Sequence, residues 1–317
     1  CRSATGTTTK SPYRCFSHEG GSYLMDEPIL WDLIRESGSA IAAKYRPVME
    51  KKLENSGLDG RELSLLLAVL TFEPDNTTPA HLLVRNPYAS AELYFARLSS
   101  TARLGYLGEV APGEFRLTPE GRRLVDRFIE DARQAMADAD PLALHDSRQL
   151  AQVLGKLVAS SLETPPPPNP WSIGLSFRLM PEIEPPLPYS EQAISCLSAY
   201  RDDAHLAAWR KTGLSAIGLE ILTFIWRDQT GSLRQLVDQL SHRGHPPEVY
   251  VDGVDELKEI DCLHGPDDDL AITEKGRVFR EKVEADTNKF FFAPWSCLSE
   301  EERGWLEDLL KQLIAGL

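Results

Sequence analysis

His242 and His245 stand in His242-Arg-Gly-His245, a spacing that could suit two imidazoles on one metal ion. No partner cysteine or convincingly placed acidic ligand accompanies them, so the stretch reads as a surface loop. Asp267-Asp-Asp269 sets three carboxylates in a row but lacks the length and pattern of a calcium loop. No phosphate-binding glycine loop and no nucleophile elbow occurs. The sequence therefore points to no catalytic residue, no metal and no cofactor, and an enzyme is not expected. Among the chain's many cations and small polar groups are Arg85, Asn86, Ser90, Arg97, Arg103 and Arg116. A guanidinium can reach a phosphate or a guanine. Arg85 and Arg97 either do so or are ordinary solvated surface residues.

The bulk numbers constrain that choice. The chain has 317 residues, which suits two domains. Lys and Arg number 34 against 48 Asp and Glu, a net charge of −14. Nucleic-acid binders usually carry a basic face. A local patch can still act over a Debye length of roughly 10 Å. No apolar run reaches the roughly 18–20 residues that a bilayer span needs, so no membrane contact is expected. Five scattered cysteines fit neither a metal spacing nor a secreted disulfide framework, and a reducing cytoplasm is the plain expectation. Residues 1–24 are rich in Ser, Thr and Gly without periodicity. They are expected to be a disordered tail or an over-extended start.

The elements that must position the polar groups are written twice. Phe115-Arg-Leu-Thr-Pro-Glu-Gly-Arg-Arg-Leu124 returns as Leu270-Ala-Ile-Thr-Glu-Lys-Gly-Arg-Val-Phe279. Each copy starts as a short strand, and Thr118 or Thr273 then sits where a helix N-cap belongs. Before the first copy, apolar periodicity predicts helices over 26–55, 58–71, 79–84 and 89–104, then a hairpin over 106–110 and 114–117. Helices over 119–137 and 146–161 follow. In the fourth helix Ala91, Tyr94, Phe95 and Leu98 are expected to face the core, leaving Ser90, Glu92, Leu93, Arg97 and Ser100 outside. Residues 163–188 carry four consecutive prolines and five more. They are expected to be extended and non-helical, with Trp171, Ile173, Phe177, Leu179 and Met180 packing along a surface. Beyond them the first half repeats at an offset of 155–156: Gly213-Leu214 matches Gly57-Leu58, and Tyr250, Val254 and Leu263 match Tyr94, Leu98 and Leu107.

A helix–turn–helix followed by a β-hairpin is a winged helix. Gly213-Leu214, the run 254–263, Ile272-Thr-Glu-Lys-Gly-Arg277 and Leu298-Ser-Glu-Glu-Glu-Arg303 together resemble the MarR family of winged-helix regulators, and the first half carries the same pattern at Gly57-Leu58 and Leu117-Thr-Pro-Glu-Gly-Arg122. The resemblance implies a mainly α fold with small β-hairpin wings. It implies two winged-helix units, over 25–162 and 189–317, arranged as an intramolecular pseudo-dimer through their long terminal helices, with the segment 163–188 as linker. It implies a transcriptional regulator that binds duplex DNA, and a small-molecule effector in a cleft that Trp171, Phe224, Trp226 and Trp295 could line or, equally, fill as core. The first unit is the expected reader, through Arg85, Asn86, Ser90, Arg97, Arg103 and Arg116. In the second unit Arg97, Arg103 and Arg116 are replaced by Gly253, Glu259 and Ala271, and Glu248, Asp252, Asp255 and Asp261 crowd the equivalent helix. Against a duplex with one negative charge per roughly 1.7 Å that face repels. The other reading is a scaffold that has lost DNA binding, its acidic second unit engaging a basic protein partner.

Overall fold

The computed structural model describes residues 27–54 and 56–317; the expectation for 1–24 lies outside them. The first half runs α1 (Glu27–Leu53), α2 (Gly60–Phe72), α3 (Pro79–Arg85), α4 (Ala91–Arg103), the antiparallel pair β1 (Leu107–Ala111) and β2 (Glu114–Leu117), α5 (Pro119–Ala139) and α6 (Leu144–Leu162). After a short α7 (Trp171–Phe177) come α8 (Pro186–Arg210), α9 (Ala216–Trp226), α10 (Leu233–Leu240), α11 (Pro247–Glu259), the pair β3 (Leu263–His264) and β4 (Ala271–Ile272), α12 (Glu274–Phe292) and α13 (Glu300–Gly316). The fold is mainly helical with two small hairpins.

The two threonines do the same work at both places. The Thr118 hydroxyl accepts from the Gly121 amide at 3.0 Å, and the Thr273 hydroxyl from the Gly276 amide at 2.9 Å. Each hydroxyl also donates back at 2.7 Å, Thr118 to the Gly105 carbonyl and Thr273 to that of Asp261. The threonine amides donate to the carbonyls of Tyr106 and Cys262, both at 3.1 Å. Those same carbonyls occupy the space where a side chain on Gly121 or Gly276 would begin, so only glycine fits three residues into either helix. Each wing is thereby fixed to the helix that follows it.

Apolar side chains gather in three places. One cluster closes the first helix–turn–helix and its hairpin around Leu66, Val69, Leu98 and Phe115. A second closes the equivalent elements around Leu222, Leu236, Tyr250 and Val254. The third is made by α1, α6, α8 and α13 with the end of α12, and holds Leu30, Ile34, Leu154, Tyr200, Phe291, Trp295 and Leu310. In it α6 lies along α8, and α13 lies against both α1 and α6. Ser299 starts α13 with a reciprocal cap, its hydroxyl accepting from the Glu302 amide at 3.2 Å while Glu302 accepts from the Ser299 amide at 2.8 Å.

The proline-rich segment departs from the sequence expectation. It contains the helix α7, and α8 begins inside it at Pro186. Residues 171–180 carry no proline, so a helix can form between Pro170 and Pro181. Pro186 and Pro188 occupy the first turn of α8, where an amide has no intrahelical partner to lose. The α7 start is capped from α8, whose Asp203 carboxylate accepts from the amides of Ser172 (2.9 Å) and Ile173 (3.0 Å). Ile173 is fully buried and the Trp171 ring packs near Phe72, whereas Phe177 stays exposed.

The inward face of α4 is also corrected. Ala91 and Phe95 are exposed, Phe95 meeting only the edge of Phe115. Leu98 and Thr101 are the buried residues, with Tyr94 partly covered. A stripe chosen by apolarity missed Thr101, whose hydroxyl is satisfied by the Arg97 carbonyl at 2.9 Å and is therefore buried without penalty. Ser90, expected outside, is 5% exposed.

Gly121→Ala and Gly276→Ala are each expected to lower the urea midpoint, by the equivalent of about 1–3 kcal/mol as for other overpacked sites. Unchanged midpoints in both variants would refute the contact with the carbonyls.

Candidate nucleic-acid interface

The first helix pair and its hairpin, the first head, are built from local capping. Thr78 caps α3, accepting from the His81 amide at 3.3 Å, and Pro79 takes the position where its missing amide costs nothing. Ser90 caps α4, accepting from the Leu93 amide at 3.0 Å. The backbones of Thr77 and Phe115 exchange hydrogen bonds of 2.7 and 2.9 Å, which ties the loop before α3 to the wing.

This frame divides the six candidate residues into two groups. Arg97 is partly exposed and Arg103 exposed; among the described residues neither guanidinium has an ion-pair partner. Arg116 is exposed on β2 and donates to Asn76 Oδ1 through Nε (3.1 Å) and Nη2 (2.9 Å), a neutral partner that leaves its charge available. Arg85, Asn86 and Ser90 face the other way, into the second half. Arg85 Nε donates to Asp202 of α8 at 2.9 Å. Asn86 donates to the Tyr94 hydroxyl at 3.0 Å and accepts from Arg243 at 3.4 Å. The Ser90 amide donates to the Arg243 carbonyl at 2.9 Å.

The equivalent head in the second half presents acid. Glu248, Asp252, Asp255, Glu259 and Asp261 are exposed on or just after α11, and Asp267 to Asp269 are exposed on the wing. Glu256 is drawn inward instead and accepts from the Ser215 amide at 2.9 Å. Lys258 is spent on Asp267 at 2.9 Å. His242 and His245 hold no common ligand: His242 Nδ1 lies 2.9 Å from the Gln239 carbonyl, and His245 Nε2 lies 3.1 Å from that of Tyr88. No group of three metal-binding side chains occurs among the described residues.

Behind each head lies a cleft of about 820 Å³. The first is bounded by α1, α2, α5, α7 and α8, and is mostly apolar, with Leu67, Ile129, Met136 and Trp171. Among its polar groups is Glu191, 3.4 Å from the Tyr45 hydroxyl; burial raises the pKa of both groups. The second is bounded by α1, α8, α9 and α12. Residues 155–156 further on replace Leu67 by Thr223, Ile129 by Glu284 and Tyr45 by Arg201. Arg201 and Arg280 both pair with Glu284, at 2.7 and 3.0 Å. Burial alone would raise the Glu284 pKa, but the two guanidiniums more than offset it and hold the carboxyl below its usual range. Of the expected aromatic liners, Trp171 reaches the first cleft and Phe224 the second. Trp295 is wholly buried in the central core, and the ring of Trp226 lies under Arg280, 4.9 Å from the guanidinium carbon.

The residues that sequence reasoning missed are those joining the halves: Tyr88, Asp202, His205 and Arg243, with Glu220 holding Arg243. Glu220 left a signal, being the one carboxylate in the apolar run 216–226. Arg280 left another, standing where the first half has Val125. Nothing in the sequence marks Arg243 or Tyr88.

His205 lies in the second cleft between Tyr88 (Nε2 to hydroxyl, 3.0 Å) and Thr287 (Nδ1 to hydroxyl, 3.4 Å). Burial, then Arg280, lower its pKa to about 4, against the partial opposition of Glu284. The unfolded chain takes up this proton near its ordinary value of roughly 6.5 while the folded chain refuses it. Stability from this group is therefore present above about pH 6.5 and is lost as pH falls toward 4, by up to roughly 3 kcal/mol. Denaturation at about pH 7 and 4.5 is expected to show a smaller loss for His205→Gln than for the native chain. An equal loss in both would exclude His205 as its source.

No curated protein and no solved structure matches the chain. No helix among the described residues is long and apolar enough to cross a membrane. Residues 178–317, which contain α8 to α13 and less than half of the chain, match the model of a helix-turn-helix family.

Proposed function

We propose that this protein is a cytoplasmic transcriptional regulator of MarR-like kind, with two winged-helix units in one chain arranged as a pseudo-dimer, and that its first unit reads duplex DNA. The observation that carries this is the contrast between the heads. In the first, Arg97, Arg103 and Arg116 stand free of carboxylate partners around a capped helix–turn–helix and wing. In the second, the corresponding surface is acidic. The helix-turn-helix family match over 178–317 supports the same class of function for a half whose own surface repels a duplex. The pseudo-dimer is supported by the central core, to which α1 and α6 of one half and α8 and α13 of the other all contribute. On this reading each cleft behind a head is a place for a small effector.

A second reading has one observation in its favour. The acidic α11 and its wing offer a basic protein a surface as readily as they reject DNA, and the chain would then be a scaffold.

Equilibrium binding of the full chain to random and genomic duplexes separates the two. Two neutralised phosphates already weaken binding roughly tenfold between ~50 and ~200 mM salt. A drop of that size or more is expected, with a further loss on the order of tenfold for Arg97→Ala combined with Arg116→Ala. Absence of duplex binding at ~50 mM salt, both in the folded native chain and after the contact between Ser90 and Arg243 is opened, overturns the regulator.

A further inference from the structure

The start of α4, where a helix–turn–helix meets base edges, is only partly open in this fold: Ser90 is buried and Leu93 half-buried, while Ala91 and Glu92 are exposed. The segment from Val84 to Ser90 is held by the second half at every step. The Val84 carbonyl accepts from Arg210 at 3.0 Å, Arg85 pairs with Asp202, and the Tyr88 hydroxyl meets His205. The Ser90 amide donates to the Arg243 carbonyl. Arg243 is the centre of this contact. Its Nε and Nη2 both reach Glu220 Oε1, at 2.9 and 2.5 Å; Nη1 reaches Asn86; and the guanidinium lies over the Tyr88 ring, 5.5 Å from its centre. Gly244 then turns the chain at φ +79°, and a side chain there would begin 2.7 Å from Leu93 Cβ and 3.0 Å from Ser90 Oγ.

The contact also fixes how far apart the heads are. From Ser90 to Arg243 is one hydrogen bond, and the four residues on to Pro247 span at most ~14 Å. The first turns of α4 and α11 are therefore within roughly 20 Å of each other. Two heads serving successive major grooves stand roughly 34 Å apart. The arrangement covers Ser90 and part of Leu93 at the start of α4, and does not space the heads for two successive grooves.

We propose that the 84–90 segment and the Arg243–Gly244 turn form an autoinhibitory clasp, and that α4 enters a groove only after the clasp opens. This rests on the first unit being a DNA reader. The latch is Arg243, whose position depends on Glu220 from within α9, so the clasp belongs to the second half and acts on the first. The acidic second head is thus given a role that needs no base contact, which is to cover the reader.

The test uses the full chain and two variants. Gly244→Asn places a Cβ against Leu93 and Ser90, at a backbone conformation asparagine tolerates, and leaves every charge in place. Arg243→Gln removes the latch itself. Exchange of the Ser90 amide, whose acceptor is the Arg243 carbonyl, reports opening without DNA. Apparent affinity scales with the open fraction, so amide exchange and duplex affinity at ~50 mM salt should rise by the same factor, on the order of tenfold. Unchanged Ser90 exchange in both variants overturns the clasp. Faster exchange with unchanged or weaker duplex binding overturns its inhibitory role. Faster exchange in variants that, like the native chain, bind no duplex shows instead that the DNA reading has failed, and the inhibition with it.

Discussion

The constraint on which everything else depends is that the terminal helices cannot bury their apolar faces within their own half. α1 carries Leu30, Trp31, Ile34 and Ile41 inward, α6 carries Leu150, Leu154 and Leu157, and α13 carries Leu306, Leu310 and Leu313. Each fully buried side chain of this kind contributes about 1.5–3 kcal/mol. These residues meet one another and Tyr200, Phe291 and Trp295, across the two halves of the chain. Arg303 of α13 closes the far end, donating to Glu27 of α1 at 3.0 Å and to the Trp295 carbonyl at 2.9 Å. With that core in place, the heads are hung from it by α5 and α12, and their freedom is limited to what the helix ends allow.

On this frame the two halves have been spent differently. Cleft positions that are aliphatic in the first half are Thr223, Glu284 and Thr287 in the second. A buried guanidinium needs acceptors and a counter-charge, and Arg280 has three hydrogen bonds and a ring face: Thr223 at 3.0 Å, Glu284 at 3.1 and 3.0 Å, and the Trp226 ring. The same side of the second half carries Glu220, His205 and Asp202, which hold the loop before α4. Polar residues in the second cleft and the contact on the first head are thus one connected network, which reaches the more apolar first cleft through Arg85.

Much of this was written in the sequence. The strand, threonine and glycine of each wing set their own caps, because capping involves residues three apart and a carbonyl a dozen residues back. Helix positions followed from apolar spacing, and the loss of basic side chains from α11 could be read by laying one half on the other. The two errors have different causes, one within a helix and one across the chain. Thr101 could be buried because its bond is within the helix. Residues 171–177 could be helical because Asp203 caps them from α8.

The sequence by itself determined the two hairpins, the capped starts of α5 and α12, and the opposite charge of the surfaces at α4 and α11, since all of these rest on neighbouring residues and composition. Only the tertiary structure decided that Arg85, Asn86 and Ser90 are engaged by the second half, that Asp202 and Arg243 meet them, and that Ser90 at the start of α4 is buried. Those contacts join residues more than a hundred positions apart. Their geometry is set by how two helix bundles settle on a shared core, and no local spacing encodes that.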